Sequence, residues 1–221
     1  MQPFLIFGLT AGLGAMGELA GHERRGALLW PGRSAVIGLM GAALGIRREG
    51  DFSALEALEV SVGLYDSGAP LRDYHTIETV PSAAAKAPNS RPEALQAARG
   101  RTNTTITLRD YRTGPLFGVA VAGEGLEALA AALNAPAFTL YLGRKSCPLA
   151  APPGARVVQA EGHEAALAQL ILPPWRKGAR LVSLIVEDAA GEVVHDRAID
   201  RARWHFAPRR VAVRPVGGGG A

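Results

Sequence analysis

Hydrophobic positions fall along the chain in short blocks whose period changes from one to the next. Phe4 to Leu9 is a short apolar run, read as a buried strand, and a glycine-rich, charged stretch from Thr10 to Gly32 follows it. Behind Ser34, the expected N-cap, Val36, Ile37, Met40, Ala43 and Leu44 recur at helical spacing, and Gly45 stands where a left-handed stop is wanted. Leu58 to Tyr65 alternates as a strand, residues 66–70 turn, and Leu71 onward is extended, so the pattern predicts a hairpin. Between Glu78 and Thr102 the chain turns Ala-, Pro- and Ser-rich, an excursion from the sheet. Thr104 to Tyr111 and Leu116 to Val121 resume strand pattern. Leu126 to Leu133 predicts a helix ending at Asn134, with Pro136 beyond, and Phe138 to Leu142 predicts the next strand. After Pro152 come a strand at Val157 to Ala160, a helix near Glu164 to Leu170, and strands at Leu181 to Glu187, Glu192 to His195 and Val211 to Arg214.

The order strand, helix, hairpin strands, helix, strand predicts an α+β fold, a ferredoxin-like (RRM-like) split βαβ over residues 1–150 with an insertion at about 78–102. Residues 151–215 are expected to form a small β-rich C-terminal subdomain, and 216–221 a flexible Gly-rich tail. RNA-binding domains often use this architecture, but function has to come from the site.

Composition narrows the chemistry. At 221 residues and 48% hydrophobic, the chain fits one large domain or two small ones with a proper core. Its formal charge is +4, and its only lysines are Lys86, Lys145 and Lys177. Arginine dominance favours planar, bidentate partners such as phosphate, although GC-rich coding shifts Lys to Arg as well. The lone Cys147 excludes an intramolecular disulfide and suits a reducing cytosol. No apolar run approaches the ~20 residues that span a bilayer, and Met1-Gln2-Pro3 lacks a basic n-region. A soluble, cytoplasmic protein with no membrane partner is expected.

Several cofactor motifs fail on their surroundings. Gly12-Leu13-Gly14-Ala15-Met16-Gly17 has GxGxxG spacing, but Glu18 to Gly26 is charged and broken by glycine where a Rossmann helix is required. Gly26 to Ser34 misses the phosphate-loop spacing by one residue and carries Arg33 in place of lysine. His22-Glu23 and His163-Glu164 begin like HExxH, yet Gly26 and Leu167 occupy the second histidine positions. With one cysteine and scattered histidines, neither a metal nor any other cofactor is expected. No GxSxG elbow is present.

What survives is a set of polar clusters joining cations to aromatics. His22 to Gly26, with Arg24 and Arg25, precedes Trp30-Pro31-Gly32-Arg33-Ser34, where Arg33 and the helix N-terminus would hold one phosphate, or where a capped helix carries a solvated arginine. Leu71-Arg72-Asp73-Tyr74-His75-Thr76 and Thr107-Leu108-Arg109-Asp110-Tyr111-Arg112 flank the excursion, which holds Arg101. Tyr74, His75 and Tyr111 suit stacking on unpaired bases, and Arg109 and Arg112 suit the backbone. Cross-strand packing is the competing role for each tyrosine, and Asp73 and Asp110 are candidates to pair with neighbouring arginines. Tyr141-Leu142-Gly143-Arg144-Lys145-Ser146-Cys147-Pro148-Leu149 reads either as a solvated basic turn or as a rigid anion-binding turn. In the second reading, glycine permits close approach, proline fixes the exit, and Arg144, Lys145 and Ser146 meet a phosphate.

Together these segments resemble the CasD subunits of type I-E CRISPR Cascade, the Cas-five branch of the RAMP superfamily. The resemblance is carried by Trp30 to Leu39 continuing through Ala42 to Arg48, by Leu71 to Thr76, and by Tyr141 to Leu149. It covers Phe4 to Leu149, then thins until Arg203-Trp204-His205-Phe206 and Arg209, which look like the family's C-terminal basic strand. Two departures stand out: Ala15-Met16-Gly17 replaces a usual tryptophan-glycine pair, and Gly32 a usual threonine. The resemblance implies a noncatalytic subunit that caps the 5′ handle of CRISPR RNA and helps hold the guide for target DNA. It also implies CasC backbone and CasA large subunits as partners, RNA cleavage by CasE, and a thumb at 78–102, whose Ala, Pro and Ser content suits a segment that orders on binding. The competing reading is a metal-free endoribonuclease like the related type I-C subfamily, for which Tyr74, His75 and Lys145 supply the residue types.

Overall fold

A computed structural model describes residues 1–17, 24–86, 88, 90–201, 203 and 205–217. The cluster His22-Glu23, Trp204 and the end of the Gly-rich tail lie outside the described residues. The first strand, β1 (Gln2–Thr10), sends Leu5, Phe7 and Leu9 to one face and Phe4 and Ile6 to the other, all at most 1% exposed. A strand buried on both faces sits inside a sheet, which explains its continuous apolar run. Two-residue strands β2 (Leu13–Gly14) and β3 (Arg24–Arg25) follow, then helix α1 (Arg33–Ala43) and the turn of helix α2 (Ser53–Glu56).

Strands β4 (Glu59–Asp66) and β5 (Ala69–Thr79) lead to helix α3 (Arg91–Ala98) and strand β6 (Asn103–Thr113). Strand β7 (Leu116–Ala122), helix α4 (Leu126–Asn134), strand β8 (Arg156–Ala160) and helix α5 (His163–Leu167) come next. A 3-10 turn (Pro174–Arg176) precedes the final hairpin, β9 (Ser183–Asp200) and β10 (His205–Pro215).

Six strands form one antiparallel sheet in the order β10-β9-β4-β7-β1-β8. The main core lies on the α1 and α4 side, where Val36, Ile37, Met40, Leu129 and Leu133 meet Leu5, Phe7, Phe117 and Val119. On the opposite side α5 brings Ala166 and Leu167 onto Phe4, Ile6 and Ala120. Glycines paired across three strands, Gly63 with Gly118 and Gly118 with Gly8, make a hollow there. Leu167 sinks into it, so close that a Cβ on Gly118 or Gly63 would stand 2.8 Å from its methyl groups. The Tyr65 hydroxyl donates to the Leu167 carbonyl at 2.9 Å and fixes the helix in place. Among the described residues no helix is long and apolar enough to cross a membrane.

The second sheet is an arm. Strand β5 pairs along its whole length with β6, from Ala69↔Thr113 to Thr79↔Asn103, and β2 and β3 add short pairings on the other edge of β6. The expected hairpin of residues 58–65 with 71 onward does not form, because β4 pairs with β7 and β9 while β5 leaves the sheet at the Asp66–Gly68 turn. The excursion is correspondingly longer than 78–102, reaching from Ala69 to Thr113, and it carries α3, which Ser90 caps by accepting from the Glu93 amide at 3.4 Å.

Four further expectations are corrected. Phe138 to Leu142 is a loop with one bridge, Tyr141↔Pro148, because its polar backbone is spent on Ala42, Cys147 and Ala15 rather than on a strand. Its place beside β1 is taken by β8. Residues 151–215 share the main sheet and core instead of forming a unit of their own, with Ile185 and Val211 packed among the α1-side residues. The two strands expected at 181–187 and 192–195 are one bent strand, β9, folded where a Cβ on Gly191 would stand 2.1 Å from the Val211 carbonyl oxygen. Finally, the N-cap of α1 is Gly32, with no side-chain cap of its own, and Ser34 lies in the first turn.

Candidate nucleic-acid interface

Register sorts the arm's side chains onto two faces, since residues opposite one another in an antiparallel pair share a face and neighbours along a strand do not. Leu71, Asp73 and His75 lie across from Tyr111, Arg109 and Thr107 on one face. Arg72 and Tyr74 lie across from Asp110 and Leu108 on the other. The two Arg-Asp-Tyr motifs therefore present their tyrosines to opposite sides, and Tyr74 and His75 point apart.

On the first face the turn after residue 141 meets the arm. Gly143 has φ of +86°, and a Cβ there would stand 1.8 Å from the Ala15 carbonyl oxygen, so only glycine fits. The Leu142 amide donates to the Cys147 carbonyl at 2.8 Å, and the Cys147 amide to the Arg144 carbonyl at 2.8 Å. Leu142 and Cys147 are buried beneath this closed turn. Arg144 Nη1 donates to the Tyr111 hydroxyl at 2.7 Å, with its guanidinium carbon 4.9 Å from the ring centroid. Lys145 and Ser146 stand exposed at the tip. Arg109, two residues from Tyr111 on the same face, has a buried Nε without a hydrogen-bond partner. His75 accepts from Thr107 through its backbone carbonyl at 3.1 Å.

The second face is largely neutralised. Arg24 and Arg72 both bond Asp110, at 2.8 and 2.7 Å, and the hydrogen bond from Arg72 chiefly holds that carboxyl below the usual carboxylate range. Tyr74 is 71% exposed beside this triad. Arg112 is consumed at the root of the arm, donating to the Ser67 carbonyl, the Ser67 hydroxyl and the Gly68 carbonyl. The Arg25 side chain lies outside the described residues.

The N-terminus of α1 is not open to a phosphate. Asp196 Oδ2 of β9 accepts from the Arg33 amide at 2.7 Å, so a protein carboxylate already occupies that end. The same carboxylate takes a bidentate pair from Arg209, at 2.9 and 2.7 Å, and both side chains are buried. Arg33 turns inward, is 7% exposed, and donates to the carbonyls of Glu56 and Leu58 at 2.7 and 2.9 Å. Burial pushes its guanidinium below the ordinary value. The expected phosphate role of Arg33 and Arg209 is thereby replaced by a structural one. A close approach explains Gly32, where a Cβ would meet that of Asp196 at 3.0 Å.

The remaining candidates are dispersed. Arg101 donates to the Ala98 carbonyl beyond α3 at 3.3 Å, and Arg203 pairs with Asp200 at the β9–β10 turn, where His205 is exposed. The structure thus unites Tyr111 with Arg144, Lys145 and Ser146, and separates Arg24 from Arg33 and Ser34. Asp196 was missed in sequence, although it shares the inward parity of Val194, and an acid on the buried face of a strand signals a paired cation.

An antiparallel α+β sheet with a long basic arm and a glycine-locked Arg-Lys-Ser turn defines the class of molecule to look for. A family model described as CRISPR-associated protein (Cas_Cas5) matches residues 4–212. The chain is 34% identical over 186 residues to the CRISPR system Cascade subunit CasD of Escherichia coli (strain K12), a match covering 76% of each. Its structure resembles a chain of a CRISPR RNA-guided surveillance complex, with TM-score 0.73 and 26% identity over 96% of this chain and 90% of that one. It also resembles a crystal structure of a Cas protein, with TM-score 0.61 and 26% identity over 96% and 94%. The chain belongs to the CRISPR-associated Cas5 family. The resemblance to CasD read from three motifs is borne out.

Proposed function

We propose that this chain is the noncatalytic CRISPR RNA-binding subunit of a type I-E-like Cascade surveillance complex, where it caps the 5′ handle of the guide and supports recognition of foreign DNA. The similarity to CasD and to a chain of an RNA-guided surveillance complex supports the coarser part, a Cascade Cas5 subunit. One observation carries the finer part: Arg144 seated on Tyr111 locks the Gly143 turn to the root of the arm and presents Lys145 and Ser146 to solvent, with Arg109 two residues from Tyr111 on the same face of the arm. Phosphates on those cations, with the 5′ end against the turn, is the arrangement this supports.

The antiparallel order β4-β7-β1-β8, with α1 and α4 on one face, supports reading this unit as the ferredoxin-like, RRM-like domain of a RAMP protein. Its second face is covered by α5, with Phe4 and Ile6 wholly buried, so bases have no open sheet to stack on and the arm is the natural RNA surface. The arm takes the part of the thumb and meets a CasC-type backbone subunit, and a CasA-type large subunit adjoins the handle. Target DNA is engaged only through the complex. Nuclease action by Tyr74, His75 and Lys145 is disfavoured, because Tyr74 and His75 extend to opposite faces of β5.

Fluorescence anisotropy of labelled handle RNA against salt tests the proposal. Lys145→Ala should weaken binding and flatten the logarithmic salt dependence by about 0.7, the share of one phosphate contact on a single strand. An unchanged slope would remove the turn from the site. Specific cleavage of repeat RNA by the purified chain in EDTA would replace the binder with the endoribonuclease.

A further inference from the structure

The segment between α5 and β9, Ile171-Leu172-Pro173-Pro174-Trp175-Arg176-Lys177-Gly178-Ala179-Arg180, belongs to none of the clusters described above. It is cationic without a single acid, and it is built rather than loose. Two prolines fix its entry, the Arg176 amide donates to the Pro173 carbonyl at 2.8 Å, and the Ala179 amide to the Arg176 carbonyl at 3.0 Å. Arg176 ties it to the root of the arm, bonding Asp66 at 2.6 Å and the Gly114 carbonyl at 3.3 Å. The Val182 amide closes the far end on the Leu64 carbonyl at 2.8 Å.

Held on this frame, Trp175 is 63% exposed. An indole kept in water on a fixed turn gives up most of its burial free energy, so its exposure is not a by-product of packing. Lys177 and Arg180 follow it, both exposed. Gly114, the first residue past β6, lies three residues along the chain from Tyr111, at most about 10 Å away. The platform therefore sits at the same root as the Arg144 turn.

We infer that Trp175, Lys177 and Arg180 form a second contact for single-stranded RNA, sequence-tolerant, with a base stacked on the indole and backbone phosphates on the two cations. The chemistry is that of single-strand grooves generally, an aromatic face beside positive charge, which every base and any phosphate satisfies. The assignment rests on the RNA-binding reading above and extends the path of the strand beyond the handle turn.

The test uses the full chain with two labelled probes, handle RNA and oligouridine. Trp175→Ala should weaken both by about 5- to 150-fold, the range of one base stack, and Trp175→Phe should restore most of the loss. Lys177→Ala with Arg180→Ala should lower the salt slope by about 1.4 for both probes. Melting temperature should hold in all three, because the side chains are exposed. Unchanged affinity and slope in these variants, with handle binding still weakened by Lys145→Ala, would overturn the inference and leave the handle reading intact. Binding of oligouridine through Trp175 without preference for the handle would support the platform and sink that reading. A Trp175→Ala defect confined to association with other complex subunits, RNA affinity being unaltered, would assign the patch to protein and overturn the inference.

Discussion

Arg33, Arg144 and Arg209 show how little a cation's identity says before its partner is known. Each stands in a short polar motif, yet Arg33 feeds two carbonyls, Arg209 is clamped by Asp196, and only Arg144 borders an exposed turn. Asp196 carries the most weight of the three partners, because it caps α1 and neutralises a buried guanidinium together. Asp196→Ala should cost about 3 to 5 kcal/mol, because buried Arg209 would lose its bidentate partner and keep only the longer 3.8 Å pair with half-exposed Glu187. Asp196→Asn, which keeps an acceptor for the helix, should cost less. Urea unfolding measures both, and wild-type stability in the alanine variant would refute the coupling. The motif positions were readable in the sequence. The role of each arginine was not, since it depends on partners set by the fold: Glu56 and Leu58 for the Arg33 side chain, Tyr111 for Arg144, and Asp196, 163 residues from Arg33, for Arg209 and the α1 N-terminus.

At the scale of elements, periodicity identifies strands without naming their partners. The alternation in 58–65 and in 71 onward is real, and both are strands, but adjacency in sequence suggested a pairing that the Asp66–Gly68 turn redirects. Helix α3 was legible and overlooked: Ser90-Arg91-Pro92-Glu93 carries a capping-box spacing and an early proline. The glycine row under α5 was not legible, because Gly63, Gly118 and Gly8 become neighbours only through register. That row makes a sharp prediction. In Gly118→Ala the added methyl meets Leu167 at 2.8 Å and both Leu170 and Tyr65 at 3.0 Å. Overpacking of this kind costs about 1 to 3 kcal/mol. The loss should appear in the midpoint of thermal unfolding while handle-RNA affinity of the folded protein is kept. A variant as stable as the parent would mean that α5 yields freely and does not fix that face.

For the whole molecule, the decisive feature is that the C-terminal hairpin finishes what the first strands begin. A boundary near residue 150 followed from a local change in pattern, but β8 lines β1, β9 lines β4, and Ile185 and Val211 lie in the main core. Contacts of such sequence separation leave no mark on periodicity, which is why individual elements such as β1, α1, β7 and α4 were legible and the continuity of the sheet was not. The consequence is cooperative. With α1 capped from β9 and the core shared, the chain should unfold in a single transition, by circular dichroism and by near-ultraviolet signals alike. Residues 1–180 alone should lack that transition, since the truncation removes the Asp196 cap and strips β4 of its outer neighbour. Two separated transitions in the full chain, or a cooperative melt from residues 1–180, would restore the C-terminal segment as an independent subdomain.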